Sequence, residues 1–191
     1  MTFRRTRCPH CRDKLEAGQR IHQECIEGYA EAQEAKAKRK AEKQARMHAK
    51  VERAHDKARK DALKSPTEWE QECRAIVQKI ARLRDGDDGC ISCHMGANYG
   101  GQWHGSHFRP AGNNSAVQFH LWNIHKACAQ CNLFKGGNIG AYRPRLVEKI
   151  GEERVEWLES QTQVVKRDIA YLKRFKTVMG KRLRRMEKRN A

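Results

Sequence analysis

Cysteine and histidine are the residues of this chain best suited to chemistry, and their spacing is regular. Cys90-x2-Cys93 and Cys128-x2-Cys131 form two matched pairs separated by 34 residues. Four thiolates so arranged match a tetrahedral structural zinc site. Redox-active thiols would not need two matched pairs. A second set, Cys8-x2-Cys11-x10-His22-x2-Cys25, predicts a small N-terminal zinc finger that contacts DNA or caps the helix after it. His10, between the first two cysteines, is a less natural ligand. Cys73 stands alone on an apolar stripe and reads as packing. Between the core pairs, WHGSHFRPAG (residues 103–112) places His104 and His107 three apart among glycines and aromatics. One histidine near neutral pKa can activate water while another holds a metal. The plainer alternative is a strand with two surface histidines.

These residues need elements to position them. Residues 27–63 are rich in Ala, Lys, Glu, Arg and Gln and lack Pro, which predicts one long helix with a weak apolar seam. Ser65-Pro66-Thr67-Glu68 is a helix start, with Ser65 as cap, Pro66 at the first helical position and Glu68 completing an S-x-x-E box. Trp69, Cys73, Ile76, Val77, Ile80 and Leu83 then give an apolar stripe that ends near Asp85-Gly86. From residue 90 to 140, glycines, asparagines and aromatics predict a strand near 102–109, a turn through 111–115 and a returning strand near 116–121. A helix is expected to start between Asn123 and His125 and run past Cys131, with helical structure resuming at Arg143. Trp103, Phe108, Phe119 and Trp122 are read as a small core beside the zinc. Val165, Ile169, Leu172, Met179, Leu183 and Met186 recur at coiled-coil-like steps. That stripe could pair with the 27–63 helix, pack on the core or form a homodimer.

The formal charge of +17 sits in two arms. Residues 36–64 hold twelve Lys and Arg against four Asp and Glu, and residues 163–191 hold eleven against two. Such arms suit a polyanion, nucleic acid above all. No apolar run approaches the ~20 residues that span a bilayer, and MTFRRTRCPHC lacks the apolar segment of a secretory signal. A cytoplasmic protein without a membrane partner is expected, with its cysteines reduced.

Between the cysteine pairs, a histidine ends the first strand, Asn123 lies five residues before Cys128, and Asn132 directly follows Cys131. This order resembles the zinc-supported HNH endonucleases, whose site is a ββα-metal motif. An N-terminal C-x2-C finger, a basic helical arm, an SP-capped helix, CISC, GSHFR, NIHKACAQCNLFKGGN and YRPRLVEKIG follow one another here. Taken in that order they resemble the NinG (Rap) recombination endonuclease family of lambdoid phages, over nearly the whole chain.

The resemblance implies an α+β, mostly helical fold: an N-terminal zinc finger (1–26), a basic helical arm (27–64), an HNH-like ββα-metal core with a four-cysteine zinc site (65–150) and a C-terminal basic helical segment (151–191). It implies a phage enzyme in the bacterial host cytoplasm that cuts branched DNA such as Holliday junctions and D-loops, working with a phage recombinase. By position, His107 is the general base, Asn123 braces the hairpin, and Asn132 ligates a catalytic Mg2+ or Mn2+. Arg109, Lys126 and Lys135 could contact backbone phosphates, and any one of them could equally be a solvated surface charge. In one respect the chain departs from the HNH pattern: Ser106 stands where many of these enzymes have an acidic ligand. His104 is the nearest substitute, with His120 and His125 further off, and histidine favours a softer ion such as Mn2+. Two other readings fit the same residues: a zinc-stabilised DNA-binding protein without catalysis, and an HNH nuclease of restriction or homing type.

Overall fold

Ser65 opens a helix as the S-x-x-E spacing requires. The Glu68 amide donates to the Ser65 hydroxyl at 3.3 Å and the Ser65 amide to the Glu68 carboxylate at 2.8 Å, with Pro66 at the helix start. In the computed structural model, which describes residues 5–110, 112 and 114–190, the chain forms two compact units, Met1–Leu63 and Lys64–Ala191.

The first unit is a cysteine-rich knuckle followed by helix α1 (Ile26–Leu63). Strong helix formers carry α1 for 38 residues, and with no apolar face to cover, none of them is buried.

The second unit is built on helix α2 (Pro66–Arg84) and an antiparallel hairpin of strands β1 (Trp103–His107) and β2 (Ile124–Cys128). The register sets Trp103 opposite Cys128 and His107 opposite Ile124. Helices α3 (Ile139–Ile150), α4 (Glu152–Ser160) and α5 (Ile169–Arg189) complete it. Side chains alternate across the hairpin, so it serves two cores. One is Trp69, Cys73 and Val77 of α2 with Phe119, Ile124 and Leu172. The other is Phe108, Val117 and Ala127 with Tyr142 and Leu146 of α3 and Val155 and Leu158 of α4. Gly105 lets α2 approach β1, since a Cβ there would stand 2.7 Å from the Gln78 Cβ. The chain is thus mostly helical with one two-stranded sheet. None of its described helices is long and apolar enough to cross a membrane.

Three expectations need correction. The returning strand is 124–128, not 116–121; residues 115–117 and 121–123 form single 3-10 turns. Val117 and Phe119 alternate like a strand because both are buried, but they serve different cores. No helix starts between Asn123 and His125, because β1 pairs with those residues first; a π-helical turn follows at Gln130–Phe134. Helix α3 begins at Ile139, ahead of Arg143 and with Pro144 inside it. Of the three partners open to the stripe of 165–186, it packs on the core, closing on α2 through Ile169, Leu172, Phe175 and Met179. Val165 lies outside that helix, exchanging hydrogen bonds with the Ser115 hydroxyl. Of the turn expected at 111–115, Ala111 and Asn113 lie outside the described residues.

Candidate metal centres and active-site strand

Local backbone geometry gathers each cysteine set. In the first unit, Arg7 and Lys14 form an antiparallel bridge, the Arg12 amide turns back to the Cys8 carbonyl at 3.1 Å, and Arg12 takes the left-handed conformation. The ligand atoms of Cys8, Cys11, His22 and Cys25 then lie within 4.8 Å of one another. His22 presents Nδ1 to Cys11 Sγ at 3.2 Å while its Nε2–H donates to the Lys14 carbonyl at 3.3 Å. That outer hydrogen bond selects the tautomer a metal ligand needs. Burial, and then the neighbouring Cys11 and Cys8, push the Cys25 thiol up to about 12. Cys25 thus keeps its proton until a cation displaces it, whereas at Cys8 burial is outweighed by backbone hydrogen bonds that bring the thiol down to about 6. His10 is not in the cluster; it packs against Gly28, where an added Cβ would stand 2.8 Å from its ring.

In the second unit the Sγ atoms of Cys90, Cys93, Cys128 and Cys131 also lie within 4.8 Å of one another. The amides of Ser92 and Cys128 donate to Cys90 Sγ at 3.4 and 3.3 Å, and the Cys131 amide donates to Cys128 Sγ at 3.5 Å. Burial pushes the Cys90 thiol up, and the Cys128 and Ser92 amides oppose it only in part. Arg145 of α3 donates to the Cys90 and Cys93 carbonyls and approaches His94 Nδ1 at 2.9 Å, capping this knuckle. Both sets supply four soft donors and could hold structural zinc.

β2 leads from the hairpin into this cluster, so the cysteines fix the strand that pairs with His107. Asn123 is fully buried. Its Oδ1 accepts the Arg109 amide at 2.7 Å, and its Nδ2 donates to the Arg109 and Val117 carbonyls at 3.0 and 3.1 Å. The side-chain amide thus takes the place of one more strand residue beyond the ladder, which braces the end of β1. His107 is half-buried there. Its Nε2–H donates to the Gln118 carbonyl at 2.9 Å, leaving Nδ1 as the ring's lone pair. Burial lowers the His107 pKa, only partly opposed by the Gln118 bond, so the ring is neutral at physiological pH.

His104 and His107 do not share a face. His107 pairs with Ile124, whose side chain joins the α2 core, whereas His104 pairs with Ala127 in the α3 core. His104 Nε2 is buried and finds no hydrogen-bond partner among the described residues. Ser106 shares its face and is buried. Gly137, at a positive φ, packs here: a Cβ on it would stand 3.6 Å from Ser106 Oγ and 3.8 Å from the His107 carbonyl. Asn132 lies on the π-helical turn Gln130–Phe134, half-buried beside Cys131, and Lys135 just after that turn is exposed.

The other expected contacts are placed differently. Lys126 is buried, its ammonium donating to the Gly86 and Asp88 carbonyls at 2.9 and 2.7 Å and lying 4.2 Å over the Trp103 ring. It ties the end of α2 to the hairpin and has no free charge for phosphate. Arg109 donates to the Asn114 side chain at 3.0 Å. His125 is buried against Asp85, Nδ1 to Oδ2 3.3 Å, with Nε2 on the Trp122 carbonyl at 3.0 Å. His120 Nδ1 accepts the Trp122 amide at 3.3 Å.

Two groups that matter here carry no local signal in the sequence. One is Asp85, buried at the end of α2. It accepts from Arg84 at 2.7 and 2.8 Å, from Lys149 of α3 at 2.9 Å and from the Lys126 amide at 3.1 Å. The other is the Gln118 carbonyl on His107. Their partners come from distant parts of the chain, and no spacing rule reaches them.

Comparison with known proteins fits this picture. The family model described as the Bacteriophage Lambda NinG protein matches residues 2–189. Protein ninG of Escherichia phage lambda and Protein ninG of Salmonella phage P22 are each 39% identical over 104 residues, 54% of this chain and 50% of the relative. Protein ninG of Escherichia phage 933W is 39% identical over 104 residues, covering 54% of this chain and 51% of the relative. The matched part spans about half the length of these curated relatives. No solved structure matches. With the family model covering almost every residue, the chain belongs to the NinG family of phage proteins.

Proposed function

We propose that this protein is a metal-dependent endonuclease that hydrolyses phosphodiesters in branched DNA, including Holliday junctions and D-loops, with His107 as general base. The observation that carries the reading is the His107 hydrogen bond. With Nε2–H held on the Gln118 carbonyl, Nδ1 is the basic atom, and burial keeps it unprotonated. A neutral, oriented imidazole at a strand end is what proton abstraction from water requires. Asn123 holds that strand end through both halves of its amide.

A divalent cation, Mg2+ or Mn2+, would stabilise charge on the phosphate and leaving oxygen. Asn132 and His104 are the residues to hold it. Asn132 makes no side-chain hydrogen bond among the described residues, and His104 has a buried ring nitrogen without a partner. Nitrogen and oxygen donors of this kind suit Mn2+ better than Mg2+. The Cys90, Cys93, Cys128 and Cys131 cluster holds the hairpin, and Lys135 supplies exposed charge beside it.

The test is cleavage of an end-labelled four-way junction with Mg2+ or Mn2+. Wild type should cut, and His107→Ala should cut at least ~100-fold more slowly, the lower end of general-base contributions. Junction bound but uncut by wild type would leave a DNA-binding protein without catalysis. Cleavage unchanged by His107→Ala would remove the proposed base. Linear duplex cut as readily as the junction would point to a nuclease of restriction or homing type.

A further inference from the structure

An aromatic cleft in the second unit lies outside the site above. It is lined by Phe119, His120 and Trp122, with Arg84 from the end of α2, Lys149 from α3 and Arg182 from α5, and encloses about 590 Å3. That volume falls within the ~300–1,000 Å3 of small-ligand sites. Trp157 of α4 does not line the cleft but packs against two residues that do: its ring centroid is 5.1 Å from His120 and 5.8 Å from Trp122, the latter pair nearly perpendicular at 87°. Trp157 is 41% exposed, so much of the indole meets solvent. Arg154 lies 4.8 Å over the Trp122 ring.

The charges here are not equally free. Arg84 and Lys149 are paired with Asp85, and Lys149 also with Asp88. Arg154 and Arg182 have no ion pair or hydrogen bond among the described residues, and both are exposed. No carboxylate lines the cleft among those residues. An exposed indole, with Arg154 three residues before it on α4 and Arg182 on the wall of the neighbouring cleft, presents a flat π surface in a cationic setting. A flat ring linked to an anion complements both, which is the chemistry of a nucleotide. Paired bases hide their faces within the helix, whereas an unpaired base offers one.

We propose that the exposed Trp157 indole, packed against the Trp122 side of this cleft, stacks an unpaired DNA base, with Arg154 and Arg182 on its flanking phosphates. This rests on the reading of the protein as DNA-directed, and it assigns a second contact that recognises unpaired nucleotides away from the cutting strand.

The test uses the full-length, zinc-loaded protein in a His107→Ala background, so that no outcome depends on cleavage. Duplexes carrying 2-aminopurine either in a bulge or paired are titrated, and fluorescence and affinity are read together. Binding should quench the bulged probe and leave the paired one unquenched. Trp157→Ala should weaken the bulged probe by about 5- to 150-fold, the range for losing one base–aromatic stack of ~1–3 kcal/mol, and leave the paired probe unchanged. Trp157→Phe should restore most of the affinity. Arg182→Gln, an exposed change without a folding role, should weaken the bulged probe in the same selective way. Equal affinity of wild type for both probes, or equal loss on both in Arg182→Gln and Trp157→Ala, overturns the proposal. Junction cleavage failing while selective bulge binding persists would reject the nuclease reading alone.

Discussion

Asp85→Asn is a sharp test of how the second unit is held together. The carboxylate is 2% exposed and receives two hydrogen bonds from Arg84 at 2.7 and 2.8 Å, one from Lys149 at 2.9 Å and one from the Lys126 amide at 3.1 Å. The substitution keeps the shape and removes the charge, so two half-buried cations lose their shared partner. Truncating one partner of a buried ion pair costs about 3–5 kcal/mol. Asp88 still faces Lys149 at 2.6 Å, and both cations keep some solvent, so about 3 kcal/mol, the low end, is expected here. For a unit of this size that is a drop of roughly 10–15 °C in Tm. Urea unfolding of zinc-loaded protein, followed by tryptophan fluorescence, measures it.

The pH dependence gives an independent check. Burial by itself would raise the Asp85 pKa, but the hydrogen bonds from Arg84 and Lys149 outweigh it and hold the carboxyl well below the usual carboxylate range. A depressed native pKa contributes stability above the unfolded value of ~3.9, lost as pH falls through it. The gap between wild type and Asp85→Asn should therefore be full at neutral pH and shrink below about pH 4. Adding Lys149→Met to the variant should recover part of the loss by removing one of the two cations that no longer face a buried carboxylate. A cost under about 1 kcal/mol, typical of exposed pairs, or a gap that does not narrow in acid, would refute the reasoning.

Three further outcomes follow. Because burial lowers the His107 pKa, its basic form persists below the ordinary ~6.5; kcat/KM for junction cleavage should be flat above that pH and fall only beneath it, and an acid limb above it would exclude His107 as the base. Cys93→Ser should cut zinc content from two ions to one per chain by elemental analysis and unfold the second unit, since a structural zinc site contributes on the order of 10 kcal/mol; two zincs with an unchanged melt would refute that assignment. Ser65→Ala removes the cap on α2 and should cost about 1 kcal/mol in urea unfolding, while an unaltered midpoint would show that the capping box adds nothing to stability.

Local rules made much of the chain legible. The cap at Ser65, the long polar helix and both cysteine clusters depend on spacing within a few residues or on a metal-ligand pattern, and these appear where the residues predicted them. The second strand was misplaced because Val117 and Phe119 alternate like a buried strand, while the residues that pair, Ile124 to Cys128, are all buried and show no alternation. The order His107, Asn123, Asn132 was also readable, but not what each side chain meets.

Sequence by itself determined the helix starts, the metal-binding residue types and the basic arms, because these follow from composition and short-range geometry. Only the tertiary structure decided which core His107 and His104 each face, that Gln118 selects the His107 tautomer, and that Lys126 is consumed by two carbonyls. Those outcomes depend on strand register and on backbone atoms brought from distant segments. A shift of one residue in register would exchange the two histidines' faces, and no local pattern encodes that choice.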